Sequence, residues 1–218
     1  MRTIFRSRTA RWSVAVAAAA ATVAVAVPQI ASAAGAPAAA AARHTPHDGY
    51  GWTTVRSGIP RSAAHFTVTS PDIRDGGTIP YRHWAHAFGC AGGNQQIRLA
   101  WHGAPAGTRG YAVVMDDPDA PTGGGFRHWL TWDVPATAHA LGATAVRGAV
   151  VGTDDAGITG YLGPCPPAGD VTHHYRFTVY ALDTPSLQLP AATPPAVVEF
   201  TMSSHILGYA RLTADARR

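Results

Sequence analysis

Residues 110–121 read GYAVVMDDPDAP, an apolar, β-branched run that ends in acids and prolines. The run predicts a buried strand that delivers Asp116 and Asp117 to its end. Because Pro118 and Pro121 each lack a backbone donor and fix φ near about −65°, the loop after the strand is expected to be stiff. Stiff carboxylates at a strand end indicate a binding site, or else an acidic turn that only reverses the chain.

Two more strands are predicted downstream, at residues 126–134 and 173–182, because both stretches alternate with a period of two. In the first, one face carries His128, Leu130, Trp132 and Val134, and the other carries Trp129, Thr131 and Asp133. In the second, one face carries His173, Tyr175, Phe177, Val179 and Ala181. A histidine and a tyrosine therefore share a face, beside the proline-rich loop 160–167.

The pattern of apolar residues in the rest of the chain indicates a β-rich protein. Residues 65–69 and 97–101 alternate and predict strands, and the turn at 104–108 predicts a hairpin or meander with the strand from residue 110. Residues 196–213 carry apolar side chains near helical spacing after two prolines, which predicts a C-terminal amphipathic helix. The fold class is therefore mainly β or α+β.

The N-terminus has the pattern of a secretory signal peptide. Four arginines precede an apolar run at residues 13–27, and Ala31-Ser32-Ala33 follows it, so residues 1–33 are expected to be removed after Ala33. The run is short for a membrane span, although a retained anchor is the alternative. The mature protein is thus predicted to be secreted, in the extracellular space or the cell envelope, with no membrane span.

Cleavage changes the charge of the protein. All seventeen basic residues are arginines, and all thirteen acids lie after Ala33, so removal of four arginines leaves thirteen charges of each sign. Nucleic-acid binding, which needs a basic face, is therefore not expected. Residues 34–63 begin with an alanine-rich stretch and are predicted to be a disordered or poorly ordered leader, followed by a single domain at 64–218.

Two cysteines remain in the mature chain, Cys90 and Cys165. In an oxidising compartment they are candidates for a disulfide, and the alternative is a pair of small buried hydrophobic residues. Neither lies in a CxxC motif, so neither a metal site nor redox chemistry is expected there.

Four motifs jointly resemble the phosphatidylethanolamine-binding protein (PEBP) family, in its bacterial, Raf-kinase-inhibitor-like branch. These motifs are DPDAP at 117–121, HW at 128–129, GYLGPCPP at 160–167 and HHYRFTVYALD at 173–183. The resemblance covers residues 66–209. It implies a large antiparallel sheet packed on a smaller one, with a small anion pocket at one end of the sheet and no cofactor.

The resemblance also implies which residues bind the ligand. They are Asp117, Asp119, Ala120, His128, Pro166, His173 and Tyr175. Two imidazoles and a phenol can supply the donors that a phosphate group needs, whereas the carboxylates would orient an imidazole or contact the ammonium of an ethanolamine group. The alternative is that each histidine is a buried, hydrogen-bonded ring without a ligand.

Three functions are compatible with these residues. The favoured one is a non-enzymatic binding protein for a small anionic ligand, either a phosphate-type group or a phospholipid head group. The second is a protein–protein regulator, for example an inhibitor of a secreted protease, that uses the pocket rim. The third is a metal-assisted hydrolase, although no serine or cysteine lies in a nucleophile motif and no metal is expected.

Overall fold

The computed structural model describes residues 51–142 and 144–218. The predicted signal peptide and positions 34–50 of the predicted leader lie outside the described residues. The described part of the leader contains no helix or strand, and Ile59 packs against an apolar cluster of the domain. None of the helices in the described residues is both long and apolar enough to cross a membrane.

Within the described residues, the domain contains ten strands, one α-helix and one 3₁₀ turn at Tyr81–His83. The first five strands are β1 (Ala64–His65), β2 (Thr67–Thr69), β3 (Gly77–Thr78), β4 (Leu99–His102) and β5 (Gly110–Asp117). The others are β6 (Phe126–Pro135), β7 (Ala140–Leu141), β8 (Val150–Val151), β9 (His173–Leu182) and β10 (Ile206–Ala216). The helix α1 spans Pro195–Ser203.

The strands form a large sheet and a small one. The large sheet has seven strands in the order β1-β10-β9-β5-β6-β8, with β3 also paired to β10, and the small sheet is β2-β4-β7. Among the strands of the described residues, only β1 and β3 run parallel to their neighbour, which is β10 in both cases. The architecture is mainly β with one short helix, so the predicted fold class is confirmed; the large sheet is mixed rather than purely antiparallel.

Apolar side chains cover both faces of the large sheet. One face packs on the small sheet, where Trp101 meets Tyr111 with ring centroids 5.3 Å apart. The opposite face packs on α1 through Val198 and Met202. Because β5 runs through the middle, all eight of its residues are buried, as the apolar run in the sequence predicts.

Two bulges in β6 overturn the predicted faces of this strand. Met115 pairs with Trp129 and Asp116 with Arg127, so His128 is an extra residue and turns to the face that carries Trp129. A second irregularity falls at Asp133, which adopts a φ of 55°. The prediction that His128 and Val134 share a face with Leu130 and Trp132 was therefore wrong.

The prediction of a C-terminal helix at 196–213 was also wrong for the second half of that segment. Residues 196–203 are helical, but Ile206–Ala216 is a strand in which every second residue is buried. The helix ends early because the following residues pair along the whole of β9.

The predicted hairpin at 104–108 was wrong as well, since β4 belongs to the small sheet and β5 to the large one. The strand predicted at 65–69 is divided between the two sheets in the same way.

Candidate functional site

A small pocket of about 190 Å³ opens at the edge of the large sheet where β5 ends and where β6 and β9 begin. Antiparallel pairing brings these three strand ends together. The lining consists of Phe88, Asp117, Ala120, Pro121, Thr122, Phe126, His128, Leu162, Gly163, Cys165, Pro166, Pro167, His173 and Tyr175. Six of the seven predicted ligand-binding residues are thus brought together.

Asp117 anchors the floor of the pocket. Its side chain is almost fully buried, and each carboxylate oxygen accepts a hydrogen bond. The backbone N–H of Asp119 donates to Oδ1 over 3.0 Å, and Nδ1 of His173 lies 2.7 Å from Oδ2. The carboxylate is therefore fixed by its own loop and used to orient an imidazole, as the sequence predicts.

His173 lies between two carboxylates. Its Nδ1 faces Asp117, and its Nε2 lies 3.4 Å from Oδ2 of Asp170. Burial by itself disfavours the charged ring, but the hydrogen bonds and negative charges of Asp117 and Asp170 outweigh it and raise the pKa of His173. The ring of His173 therefore keeps its proton to a higher pH than a free histidine, and each of its nitrogens faces a protein carboxylate.

Sequence reasoning missed Asp170. It lies three residues before His173, directly after a turn at Gly169 with a φ of 82°. The D-x-x-H spacing ahead of a strand is the signal that could have identified it, since the turn folds the acid back onto the ring.

His128 is the less constrained histidine of the pocket. Its Nδ1 lies 3.1 Å from the carbonyl oxygen of Leu162, which can only accept, so Nδ1 carries a hydrogen. Burial lowers the pKa of His128. Nε2 has no hydrogen-bond partner within residues 51–142 and 144–218. The neutral ring therefore offers a lone pair at Nε2, and a protonated ring offers a donor.

Tyr175 contributes a phenol beside both histidines. Its ring contacts His128 edge-on at 5.2 Å and stacks near His173 at 6.3 Å, measured between centroids. Burial and the negative charge of Asp117 raise the pKa of Tyr175, so the hydroxyl stays protonated and remains a donor.

A rigid loop at 160–167 forms one wall of the pocket and carries Pro166. The side-chain amide of Asn94 donates to the carbonyl oxygen of Tyr161 over 3.0 Å and accepts from the N–H of Gly163 over 2.8 Å. Only glycine fits at 163, because a Cβ there would lie 2.0 Å from the carbonyl oxygen of His83. A disulfide between Cys90 and Cys165 ties the loop to a neighbouring turn.

Asp119 does not line the pocket, which departs from the predicted site. Its carboxylate turns to the other side of β9, where Oδ2 accepts the backbone N–H of His174 over 2.8 Å and lies 2.7 Å from Nδ1 of that ring. The DPDAP loop therefore contributes one acid to the pocket and uses the second to fasten itself to β9.

A larger cavity of about 1070 Å³ lies on the helix side of the sheet. Its charged side chains are largely paired with one another, Arg127 with Glu199 and Arg176 with Asp116. The small pocket is the better candidate site because it contains an imidazole nitrogen with no partner. Across the described residues, no group of three or more histidine, cysteine or acidic side chains is arranged to hold a metal ion.

Comparison with known proteins gives a consistent result. The sequence model of the phosphatidylethanolamine-binding protein family matches residues 69–217. The UPF0098 protein YbcL of Escherichia coli (strain K12) is 40% identical over 159 residues, which cover 69% of this chain and 87% of YbcL. Its crystal structure, described as that of a member of the mammalian PEBP family, superposes with a TM-score of 0.69 at 38% identity and covers 71% of this chain and 99% of that one.

Two further relatives cover similar shares of the chain. The UPF0098 protein YbhB of E. coli (strain K12) is 41% identical over 154 residues, which are 67% of this chain and 97% of YbhB. LppC of Mycobacterium tuberculosis (strain H37Rv), whose name proposes a lipoprotein, is 38% identical over 173 residues, which are 78% of this chain and 82% of LppC.

Proposed function

The chain belongs to the phosphatidylethanolamine-binding protein family, and on that basis we propose that it is a non-enzymatic binding protein whose small pocket takes a phosphate-type group, such as the head group of a phospholipid. A pocket of about 190 Å³ is smaller than the roughly 300–1,000 Å³ of sites for drug-sized ligands. It therefore suits a head group rather than a whole lipid.

One observation carries the proposal, the partnerless Nε2 of His128 next to the phenol of Tyr175. A phosphate oxygen placed between them would meet the Tyr175 hydroxyl and, on a protonated His128, an N–H donor. Such charge-assisted hydrogen bonds are about twice as strong as neutral ones.

The charges around the pocket determine whether ligand binding is coupled to protonation of His128. Two carboxylates, those of Asp117 and Asp170, face the single imidazole of His173, so the empty pocket does not favour a further anion. Protonation of His128 removes this excess. Because its pKa is lowered by burial, His128 is neutral at pH 7.5 in the free protein, and binding of a phosphodiester is expected to take up about one proton.

Titration calorimetry with glycerophosphoethanolamine tests this proposal. Affinity is expected to fall by about tenfold for each pH unit above neutrality, as linkage to one proton requires. His128→Gln should remove most of the affinity and the proton uptake, whereas His174→Gln, on the opposite face of β9, should change neither. Absence of binding at pH 5.5, or an affinity that does not vary with pH, would contradict the proposal.

The non-enzymatic part of the proposal has its own measurement. Phosphoethanolamine incubated with the protein is expected to keep the integrated intensity of its ³¹P signal over time, with no signal from inorganic phosphate. Growth of that signal with time, at a rate that follows protein concentration, would instead support the hydrolase alternative.

Export is part of the same proposal. It is supported by the arginine-rich start, the apolar run and the Ala-Ser-Ala sequence at 31–33, and by the lipoprotein name of LppC. Mass spectrometry of protein recovered from the culture medium or cell envelope is expected to find a chain that begins at Ala34. An intact Met1 terminus would contradict it.

A further inference from the structure

We propose that the large cavity on the helix side of the sheet binds the carboxyl-terminal residues of a peptide, with the terminal carboxylate on the guanidinium of Arg211. The floor of this cavity lies on the opposite face of the large sheet from the small pocket. Along β5, Asp117 lines the pocket and Asp116 lines the cavity, and along β9, Tyr175 and Arg176 are divided in the same way. The inference does not depend on the proposed head-group function.

The floor of the cavity is a row of charged side chains produced by the register of the sheet. Asp116 of β5 pairs with Arg127 of β6 on one side and with Arg176 of β9 on the other. Glu199 of α1 and Arg211 of β10 complete the floor. Three guanidiniums thus meet two carboxylates, so the floor carries an excess of one positive charge, and a ligand with one negative charge would neutralise it.

The other charged residues of the lining do not cancel this excess. Asp119 and Asp170 each face a histidine, His174 and His173 respectively. Arg56 of the leader also lines the cavity and adds a further positive charge.

Arg211 is the guanidinium of the floor that has no carboxylate partner within residues 51–142 and 144–218. Its Nε donates to the hydroxyl of Thr178 over 2.8 Å, and its Cζ lies 5.6 Å from the centroid of the Tyr209 ring. These contacts orient the side chain and leave Nη1 and Nη2 without hydrogen-bond partners in the described part of the chain. Two such donors in one plane match the two oxygens of a carboxylate.

The acids of the floor present unused acceptors beside these donors. Oδ2 of Asp116 accepts from Arg176, and Oε2 of Glu199 accepts from Nε of Arg127 over 2.9 Å. The second oxygen of each acid, Oδ1 of Asp116 and Oε1 of Glu199, has no hydrogen-bond partner among the described residues. A ligand that covered these oxygens without donating to them would leave them unpaired, at a cost in free energy. The backbone N–H groups of a peptide can pair with them, so a peptide fits better than a simple organic acid.

The walls of the cavity suit apolar side chains of such a peptide. Trp52 and Val55 of the leader and Phe200 of α1 line it and are 52%, 61% and 81% exposed. Large apolar side chains that are exposed around one cavity indicate a binding surface. At about 1070 Å³ the cavity is at the upper end of the roughly 300–1,000 Å³ of small-ligand sites, so it has room for several residues.

Titration calorimetry with the peptide N-acetyl-Ala-Leu-Phe tests the inference. The free acid is expected to bind about tenfold more tightly than the carboxyl-terminal amide, because only the acid makes charge-assisted hydrogen bonds with Arg211. Arg211→Gln should abolish this preference. Arg74→Gln is the matched control and should keep it, since Arg74 is exposed and lines neither cavity. Equal affinities of acid and amide for the wild type, a preference that survives in Arg211→Gln, or no binding of the acid at millimolar concentration would overturn the inference.

A second measurement locates the bound peptide without relying on loss of affinity. Binding is expected to shift the tryptophan emission to shorter wavelength, because the peptide covers the exposed ring of Trp52. In Trp52→Phe the shift should be lost, whereas calorimetry should still detect binding. A shift that persists in this variant, or displacement of the peptide by glycerophosphoethanolamine, would place the peptide elsewhere and contradict the assignment of the cavity.

Discussion

The two pocket histidines are driven in opposite directions by their surroundings. Two carboxylates raise the pKa of His173, whereas burial lowers that of His128. One ring thus keeps its proton to a higher pH than a free histidine, and the other loses it more readily until a ligand arrives. This division of roles follows from which nitrogen faces which oxygen, and the residue types alone do not reveal it.

The raised pKa of His173 has a consequence for stability. Since the folded pKa exceeds the unfolded value near ~6.5, the charged hydrogen bonds stabilise the protein fully below that pH, and the effect is lost as pH rises through the folded pKa. His173→Gln should therefore lower the free energy of unfolding by about 2 kcal/mol at pH 5.5, and by less at pH 9.

Urea denaturation at both pH values measures this difference. His174→Gln is the control, because the His174 side chain is 55% exposed and its contact with Asp119 lies at the surface, where such pairs contribute little. A loss for His173→Gln that is the same at pH 5.5 and pH 9 would contradict the raised pKa of the ring.

Much of the candidate site could be predicted from the sequence, because its residues lie in short motifs at strand ends. Asp117, His128, Pro166, His173 and Tyr175 all reach the pocket. The prediction failed where tertiary contacts decide. Asp119 lies outside the pocket because the backbone N–H and the ring of His174 bind its carboxylate, and Asp170 reaches the ring of His173 because a turn folds it back.

Among the elements, β6 determines the geometry of the site. A regular strand would turn His128 away from Tyr175 towards α1, and the extra residue at the bulge reverses it. Strict alternation cannot predict this, because a bulge is specified by the pairing partner as much as by the bulged strand.

The second bulge of β6, at Asp133, can be tested by substitution. Its carboxylate accepts the N–H of Leu187 and the hydroxyl of Ser186, each over 2.7 Å, and its backbone has a φ of 55°. Asp133→Ala should lower the free energy of unfolding by about 2 kcal/mol, since it removes both acceptors and keeps a side chain in the left-handed region.

Asp133→Asn is the comparison for this variant, because it keeps one acceptor and tolerates that conformation, and it should lose less. Thermal melts followed by circular dichroism compare the two. Equal stability of the alanine variant and the wild type would show that the bulge does not depend on this side chain.

The helix and last strand illustrate where periodicity misleads. Apolar residues from Val197 to Tyr209 approximate helical spacing, so the pattern predicted one long helix. The strand beyond residue 206 buries Ala210, Ala214 and Ala216 in alternation. Alanine is a poor strand former and a good helix former, so its alternation carries little signal until β9 offers a partner.

For the molecule as a whole, the family resemblance predicted two packed sheets, whereas local patterns could not divide the strands between them. β4 and β5 are neighbours in sequence but belong to different sheets, and Trp101 of β4 packs against Tyr111 of β5 across the core. Division of strands between sheets is a property of the assembled core, and short loops give little information about it.

The disulfide affects the stability of the whole molecule, because its two cysteines are 75 positions apart in the sequence. Replacing both cysteines, with Cys90→Ser and Cys165→Ser, is expected to lower the free energy of unfolding by about 4 kcal/mol, mainly because the unfolded chain gains freedom. Denaturation of the wild type with and without dithiothreitol should give a similar difference. A loss below about 1 kcal/mol in both experiments would indicate that packing alone holds the loop at 160–167 against its neighbouring turn.

The pairing of β1 and β3 with β10 sets the order of events during biosynthesis. The earliest strands of the domain find their ladder partner only in the last one, through registers such as Ala64 with Gly208 and Gly77 with Ala214. A nascent chain therefore cannot complete its large sheet before almost all of it has left the ribosome. Any machinery that engages the chain during translation meets a polypeptide whose sheet is still open, and this interval is when chaperones or a translocation channel can act on it.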